Sequence, residues 1–343
     1  MTGNAPDATS LTSASATPRR SPNAGSGRTA SGLAFALVSA SAFGLSGSLA
    51  RGLLESGWSA GAAAGVRMGV AAAVVALPAA LAMRGRWGLV RRATPMVLLY
   101  GLLAVAGAQL CYFYAVQTLQ VGVALLIEYM APVAVVVFLW VARGERPGRL
   151  TVAGAVVAMA GLALVLGLLS GVSLDGVGVL WALGATIGAA TYFLLSADDR
   201  VGLPPVALAG GGLLVGSAAL GLGGLVGVLP MTASTADATL GDVALPWWLL
   251  VGLLGVVTAA LAYVTGIAAG RRLGSRVASF VALSEVLMAV LFAWLLLDEL
   301  PTTAQLLGGL LVLAGVVLVK VGEPRHVEEH GATSPTVEPL PPT

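Results

Sequence analysis

Two short stretches of the sequence resemble each other: RGERPGR at residues 143–149 and LDELPTT at residues 297–303. In each, a glutamate is followed two positions later by a proline, and each stretch lies between long apolar runs. The first holds three arginines, whereas the second has no basic residue. The glutamates, Glu145 and Glu299, are interpreted as structural, because proline suits the first turn of a helix and a carboxylate there complements the helix dipole.

The two stretches belong to an internal repeat with a fixed register. When the sequence is shifted by 154 residues without gaps, aromatic, acidic, proline and glycine positions fall on identical residues. A shared apolar composition would align leucine with valine, but it would not align all of these residue types together. The matched pairs include Phe138 with Phe292, Trp140 with Trp294, Glu145 with Glu299, Pro147 with Pro301, Gly154 with Gly308 and Gly161 with Gly315. The chain is therefore predicted to have two related halves.

The composition excludes an ordinary soluble protein. Of the 343 residues, 57% are hydrophobic and 10% are charged, whereas soluble domains carry roughly 25% charged residues. Apolar runs of about 20 residues, the length that crosses a hydrocarbon core of roughly 30 Å, recur along the chain. The ten predicted spans are 31–50, 61–83, 94–116, 119–142, 150–170, 176–196, 205–229, 246–268, 275–297 and 303–321.

The repeat and the spans together predict the fold class. Each half holds five spans, and an odd number of spans makes the second half enter the membrane upside down. The chain is therefore expected to be an all-α integral membrane protein whose ten transmembrane helices form two inverted-topology five-helix repeats. The inversion also explains the unequal charge of the two opening stretches, because Lys and Arg follow the cytoplasmic face of the membrane.

The chain is expected to divide into four parts. Residues 1–30 are predicted to be a disordered cytoplasmic tail, since their Ser, Thr, Ala, Pro and Gly content cannot bury a core. A cleavable signal peptide is disfavoured because the apolar run that follows is too long for one. Residues 31–170 and 176–321 are the two five-span repeats, and residues 322–343 are predicted to be a second disordered cytoplasmic tail.

The basic residues predict the orientation. With the N-terminus in the cytoplasm, sixteen of the eighteen Lys and Arg residues fall on the cytoplasmic side, where they are retained because they resist translocation. Arg51 lies in a predicted outer loop and Arg67 inside the second span, while the loop at 230–245 has no basic residue. Both termini are therefore expected in the cytoplasm of a multi-pass protein of the cell (plasma or inner) membrane. The pI of about 8.9 then reflects topology, and no nucleic-acid partner is expected.

The motifs resemble those of a known family. The first half contains SAFGLSGSLAR, GVRMGVAAAVV and APVAVVVFLWVARGERPGRLTVAGAVVAMAGLALV, and the second contains LSEVLMAVLFAWLLLDELPTTAQLLGGLLVLAGVVLV. In order and spacing, over residues 31–321, these are similar to the drug/metabolite transporter superfamily, specifically to proteins built from two EamA-type repeats. Val286 stands where the second repeat commonly has a proline after the glutamate, so the resemblance does not itself predict a kink in the ninth span.

The resemblance implies a secondary active transporter. Its expected activity is proton-coupled export of small metabolites, amino acids or drug-like compounds by alternating access, and LLIEYMAPVAV is similar to the branch that includes amino-acid exporters. The alternatives are a proton-independent uniporter or exchanger, and a scaffold or receptor that does not transport. The expected partners are a small-molecule substrate, protons and the lipid bilayer. No cofactor and no metal are expected, and the oligomeric state is left open.

Three charged side chains fall inside predicted spans: Arg67, Glu128 and Glu285. Each costs roughly 2.5 to 3.5 kcal/mol at a helix centre, so they must face water, protein or one another. In the repeat register Glu285 falls on Ala131, three residues after Glu128. Inverted repeats commonly form a site at the midplane between the halves, so the two glutamates are candidates for proton coupling or substrate binding. Arg67 is a candidate counter-ion or anchor for an anionic substrate group.

The alternative is that these three side chains form internal hydrogen bonds or ion pairs that only hold helices together. Arg67 could also reach the outer surface, since long basic side chains snorkel. Aromatic and polar residues at internal positions are candidates for lining a cavity, with packing between helices as the other interpretation. They are Gln109, Tyr112, Tyr114, Tyr129, Tyr192 and Tyr263.

An intramembrane hydrolase is the rival from another class. The sequence GLSG at residues 44–47 matches the pattern around the serine of rhomboid-type proteases. Such a serine needs a base, but the two histidines, His326 and His330, both lie in the C-terminal tail. No HExxH or GxGD motif occurs either, so an enzyme is not expected.

Overall fold

The computed structural model of the chain is built almost entirely of helices, and it describes residues 23–115, 118–119, 121–165, 175–240, 243–297 and 300–322. The helices of the first half are α1 (Asn23–Glu55), α2 (Ala60–Ala82), α3 (Gly88–Leu99), α4 (Ala108–Ala115), α5 (Val121–Glu128), α6 (Ala131–Arg143) and α7 (Arg149–Val165). Those of the second half are α8 (Gly176–Ala197), α9 (Pro205–Leu225), α10 (Trp247–Gly255), α11 (Ala262–Ala282), α12 (Ser284–Leu297) and α13 (Thr303–Val321).

Four further elements lie within the described residues. A π-helical segment, Tyr100–Gly107, joins α3 to α4, and a second, Val256–Leu261, joins α10 to α11. Two short strands, β1 (Ala238–Leu240) and β2 (Val243–Leu245), pair antiparallel between α9 and α10. The β1–β2 hairpin thus lies in the loop that the sequence predicts to be outside.

Within the described ranges the helices form ten membrane segments, which confirms the expected fold class. Seven continuous helical stretches are long and apolar enough to cross a membrane, and α6, α7 and α12 are shorter apolar helices. The stretch Trp247–Ala282 holds the eighth segment and the first part of the ninth. Between them the backbone leaves helical geometry at Gly274, whose φ of 78° is readily adopted only by glycine.

The inversion of the second half is visible where α7 packs on α13. Gly154 lies against Gly315, and Gly161 lies against Gly308; a Cβ atom on any of the four would be 2.6 to 2.7 Å from the opposing glycine carbonyl oxygen. Because the partner number falls as the residue number rises, the two helices are antiparallel. When each residue is replaced by its repeat equivalent in the other half, the Gly154–Gly315 contact becomes the Gly308–Gly161 contact. A two-fold relation between inverted repeats requires this.

Two irregularities of the backbone also recur in register. Shifting residues 102–107 of the first π-helical segment by 154 superimposes them on Val256–Leu261. The fourth segment is interrupted by a turn at Tyr129 and Met130, and the ninth by a turn at Leu283, which is the register equivalent of Tyr129. Both halves therefore repeat the same departures from a regular helix as well as the same helices.

The two halves share their packing rather than standing apart. The largest buried apolar cluster combines Met68 and Tyr100 of the first half with Leu208, Tyr263 and Ile267 of the second. At the same interface the hydroxyl of Ser39 in α1 donates a hydrogen bond of 2.8 Å to the carbonyl of Ala262. Any movement of one half against the other must therefore break and remake buried contacts.

The N-terminal boundary differs from the expected one. Helix α1 begins at Asn23, so residues 23–30, assigned to the tail from composition, form its first turns. Extending an existing helix adds one hydrogen bond for each residue fixed, and it avoids the cost of nucleation. The remaining tail residues, 1–22 and 323–343, lie outside the described part of the chain, as does Glu299.

Candidate functional site

The fourth segment is broken next to Glu128. Pro132, near the start of α6, has no N–H group, and its ring would clash with the carbonyl four residues earlier, which belongs to Glu128. The helix therefore ends at Glu128 and restarts at Ala131. From the second half, the Thr186 hydroxyl in α8 donates a hydrogen bond of 2.6 Å to the Ile127 carbonyl, which provides a polar partner to backbone at the break.

The ninth segment is broken at the equivalent place without a proline. Val286 occupies the register position of Pro132, yet the helix is interrupted at Leu283. The Ser284 hydroxyl donates to the Val281 carbonyl at 2.6 Å, and the Val286 N–H donates to the Leu283 carbonyl at 3.2 Å. A serine that bonds back to its own helix commonly bends it. Glu285 thus lies in the first turn of α12 just after one break, and Glu128 ends α5 just before the other.

A cavity of about 890 Å³ lies between the two halves. Backbone that leaves helical geometry at membrane depth is tolerated where it lines such a space. Eight of the nine site residues selected from the sequence line this cavity: Arg67, Gln109, Tyr112, Glu128, Tyr129, Tyr192, Tyr263 and Glu285. Tyr114 does not line it; its ring packs on Trp181 at 4.9 Å between centroids, and its hydroxyl donates to the Val228 carbonyl at 3.3 Å.

A hydrogen bond links the two breaks. The hydroxyl of Tyr129, in the turn of the fourth segment, donates to Oε1 of Glu285, in the ninth, at 3.2 Å. Glu128 lines the same cavity as Glu285. Within the described ranges the Glu128 carboxylate accepts no hydrogen bond, so it faces the cavity without a protein donor.

Arg67 is held by the second half. Its Nη2 donates to the carbonyl of Thr258 at 2.7 Å, and its guanidinium lies over the ring of Phe43 at 5.9 Å from the centroid. Thr258 belongs to the π-helical segment Val256–Leu261. Arg67 lines the same cavity as Glu128 and Glu285, but no ion pair to either glutamate is present among the described residues. The side chain is thus directed to the cavity wall and not to the outer surface.

One wall of the cavity is aromatic. The ring of Tyr192 contacts those of Phe193, Tyr263 and Tyr100, with centroids 5.0, 5.7 and 5.9 Å apart. Tyr263 in turn meets Phe43 edge to face at 5.2 Å. Rings beside two carboxylates and one guanidinium form a site that accepts an apolar body and fixes its orientation through a few polar groups.

The two ends of the cavity differ. One end extends to Arg51 and Leu54, both exposed, near the C-terminal end of α1. The other end is closed by a buried apolar cluster, which consists of Ala36, Ala269, Leu273, Val277, Ala278 and Val281. The cavity is therefore accessible from the side on which α1 ends and α2 begins.

An ion pair that was not predicted lies at the closed end. Nη2 of Arg276 is 3.2 Å from Oε2 of Glu145, and the Arg276 side chain is only 8% exposed. Glu145 belongs to the first half and Arg276 to the second, so the pair crosses the interface. In the sequence, Arg276 is one of several loop arginines, and nothing in its spacing from Glu145 predicts that the two residues are in contact. Sequence reasoning also missed Thr258, which offers only a backbone carbonyl.

Comparison with known proteins identifies the family. The family model described as the EamA-like transporter family matches residues 30–167 and again residues 176–321, so that each match covers one half of the chain. A solved crystal structure superimposes with a TM-score of 0.67 at 22% identity and covers 84% of this chain and 96% of its own. At that identity the likeness shows the fold alone.

Two relatives are named as transporters. Uncharacterized transporter sll1164 of Synechocystis sp. is 33% identical over 89 residues, which are 26% of this chain and 25% of that protein. The chain thus matches about a quarter of the length of this relative. Uncharacterized inner membrane transporter YicL of Salmonella typhimurium is 24% identical over 236 residues, which are 67% of this chain and 74% of that protein. With the repeated family match and the ten-segment fold, these findings show that the chain belongs to the EamA-like transporter family of the drug/metabolite transporter superfamily and is a membrane transporter.

Proposed function

We propose that the chain is a secondary active transporter that exports small metabolites, amino acids or drug-like compounds in exchange for protons. The observation that carries this proposal is the pair Glu128 and Glu285, one from each half, facing a single cavity at equivalent breaks of the fourth and ninth segments. A charged side chain at membrane depth is costly, and it marks a substrate or ion pathway by default.

Coupling would follow from competition for the same carboxylates. A proton neutralises a glutamate side chain, whereas a cationic group of the substrate binds only to the ionised carboxylate. Glu128 accepts no hydrogen bond from the described residues, so its carboxylate is available to a proton or to the substrate. The hydroxyl of Tyr129 holds Glu285 in place. Arg67, fixed at the cavity wall, would bind an anionic group of the same substrate. A molecule with both charges and an apolar body, such as an amino acid, suits this arrangement.

Alternating access is the mechanism that two inverted halves favour. The cavity is open toward the ends of α1 and α2 and closed at the Glu145–Arg276 side. If the two halves exchange conformations, the closed end opens and the open end closes around an unchanged central site. We place both termini in the cytoplasm from the distribution of Lys and Arg, so that the open end faces outward.

The test begins with the substrate. Sensitivity of cells that lack or overproduce the protein, profiled across metabolites and toxic analogues, selects a compound, and its flux is then measured in proteoliposomes with an imposed pH gradient. Export coupled to protons predicts that the gradient drives the flux and that the compound in turn moves protons. Glu128→Gln and Glu285→Gln are each expected to abolish this dependence.

Glu55→Gln is the matched control, because Glu55 lies at the exposed end of α1, where it pairs with Arg51 within the same helix. Proton dependence that is unaltered in both cavity variants would remove the coupling role of the two glutamates. Flux that ignores the gradient in the wild type would indicate a uniporter or exchanger, and the absence of flux for every compound would favour a scaffold or receptor.

A further inference from the structure

A second, smaller cavity lies at the helix ends on the side opposite the mouth of the central cavity. Its volume is about 420 Å³, and it is bounded by the first turns of α1, the α8–α9 connection and α11 just before Gly274. The side chains of Arg28, Arg271, Arg272 and Asp199 line it. Nothing in the transport cycle proposed above uses this basic pocket.

The positive charge of the basic pocket is only partly balanced. Asp199 forms an ion pair with Arg271. Arg272 donates to the Ala268 carbonyl at 3.0 Å and stacks over the ring of Phe35 at 4.6 Å, and Arg28 donates to the Arg271 carbonyl at 3.4 Å. Within the described chain, neither Arg28 nor Arg272 has a carboxylate partner. Two guanidinium groups therefore converge on the pocket with unmatched charge.

We propose that the basic pocket binds a phosphate group, supplied by the headgroup of an anionic phospholipid. Guanidinium groups match phosphate oxygens in geometry and charge, and basic pockets between helices at the cytoplasmic surface bind such headgroups. Helix α9 starts at the pocket, with Pro204 as its N-cap and Pro205 as its first residue, so its positive dipole end adds to the attraction. A lipid bound there contacts α1, α9 and α11 together, and it stabilises their mutual packing.

The experiment is a thermal unfolding series on the full-length protein in a neutral detergent. Dioleoyl-phosphatidylglycerol, dioleoyl-phosphatidylcholine or inorganic phosphate is added, and the midpoint of unfolding is measured. The phosphatidylglycerol is expected to raise the midpoint by roughly 3 to 6 °C, and the other two additions are expected to leave it unchanged. Arg28→Gln and the double variant R28Q/R272Q are expected to lose most of that rise.

Arg91→Gln with Arg92→Gln is the matched control, because it removes two exposed arginines of α3 that line neither described cavity. This variant should respond as the wild type does. A rise with inorganic phosphate alone, sensitive to the same arginines, would overturn the lipid as the source of the phosphate. An equal response of wild type and R28Q/R272Q, or no response of either, would overturn the site. Arg28 is exposed, so Arg28→Gln reports on binding even where the double variant unfolds.

An independent observation concerns the Glu145–Arg276 pair. In the repeat register Glu145 corresponds to Glu299, but Arg276 corresponds to Gly122. The register is secure at this point, since the next two residues of each half, Val-Ala at 123–124 and Val-Ala at 277–278, are identical. The pair is therefore encoded at one end of the protein only, because a glycine has no side chain with which to form its counterpart when the halves exchange conformations.

The geometry points to a one-sided latch that favours the conformation seen in the structure, an inference that rests on the proposed alternating access. Arg276 is buried, and its Nε has no partner within the described residues, so the pair with Glu145 is its main electrostatic contact. Removing Glu145 leaves the charge of the buried Arg276 uncompensated in this conformation. Without the latch, the closed end of the central cavity should open more often.

Labelling of a single cysteine tests the latch without measuring transport. Ala282 lines the cavity, and Cys111 is the chain's one cysteine, so Ala282→Cys is placed in a Cys111→Ala background. A membrane-impermeant maleimide is then added from the Arg276 side in oriented vesicles. Glu145→Gln is expected to increase the labelling rate from that side about fivefold or more, and the charge exchange E145R/R276E is expected to restore the slow rate.

Glu55→Gln again serves as the control, since it disrupts an ion pair within one helix, and it should leave the rate unchanged. An unchanged rate in Glu145→Gln would overturn the latch even if transport is confirmed. Accelerated labelling in a protein that shows no flux would support the latch and contradict only the proposed function. Because Glu145 is half exposed, Glu145→Gln is expected to fold normally.

Discussion

At the scale of single residues, the site depends on how a carboxylate is held inside a membrane. Glu285 receives a hydrogen bond from Tyr129 of the other half, whereas Glu128 faces the cavity. The two glutamates are therefore not equivalent, and their positions in the repeat register are three residues apart. Tyr129 determines where the Glu285 carboxylate points, and it does so across the interface that must move during transport.

Tyr129→Phe is expected to lower transport of the identified substrate roughly tenfold or more, because a hydrogen bond to a charged group contributes roughly 1.5 to 3 kcal/mol. The measurement is the initial rate of flux in proteoliposomes at a fixed pH gradient. Tyr114→Phe removes the same hydroxyl group from a tyrosine outside the cavity, and it should stay within about twofold of the wild type. Equal loss in both variants would assign the effect to packing.

At the scale of helices, α7 and α13 approach each other closely. Gly154 and Gly161 meet Gly315 and Gly308 with no room for side chains. Without a hydrophobic driving force between helices in lipid, small residues that let backbones approach closely stabilise such pairs. Neither helix lines the central cavity. We therefore expect α7 and α13 to act as a fixed joint between the halves.

Gly161→Ala is expected to destabilise the protein by roughly 1 to 3 kcal/mol, the cost of overpacking a close contact. The new methyl group would lie 2.6 Å from the Gly308 carbonyl oxygen. The measurement is the midpoint of thermal unfolding in detergent. Gly69→Ala, in α2, adds the same methyl group where no atom lies within 4 Å, and it should be neutral or stabilising. A neutral Gly161→Ala would contradict the rigid joint.

At the scale of the whole molecule, the two halves are antiparallel copies, and charge distribution is what assigns their orientation. The loop with the β1–β2 hairpin is anchored to the first half, since Nε1 of Trp58 donates to the Ser234 carbonyl at 2.7 Å. The α2–α3 connection, with Arg84 and Arg86, lies at the other end of α2. The two loops should therefore be exposed on opposite sides of the membrane.

Cysteines at Thr235 and Arg86, each in a Cys111→Ala background, test this orientation, because both positions are exposed. A membrane-impermeant maleimide applied to intact cells is expected to label Thr235→Cys and to leave Arg86→Cys unlabelled until the membrane is opened. The reverse pattern would place the termini outside the cell. Labelling of both positions from the same side would contradict the inverted arrangement itself.

Much of this molecule was predictable from its sequence. The ten segments follow from apolar length, and the inversion follows from five spans per half. Arg67, Glu128 and Glu285 could be selected because charges inside apolar spans are costly, and the structure brings all three to one cavity. Their roles in transport stay predictions until the variants are measured.

Other features were not predictable, because they depend on contacts between residues far apart in the chain. The helix break at Leu283 was not expected, because the sequence has no proline there. It involves the hydroxyl of one serine, Ser284. The sequence predicts an ordinary loop arginine at Arg276, and only the structure shows its ion pair with Glu145. The Thr258 carbonyl that holds Arg67 carries no side-chain signal at all.

The sequence by itself determined that this chain spans a membrane ten times as two inverted copies, because apolar length and repeat register are properties of the chain read in one dimension. Only the tertiary structure decided which end of the cavity is closed, which carboxylate is held and which arginines find partners. These depend on distances of a few ångströms between segments that the sequence separates by more than a hundred residues, and electrostatic and hydrogen-bond energies vary steeply over such distances.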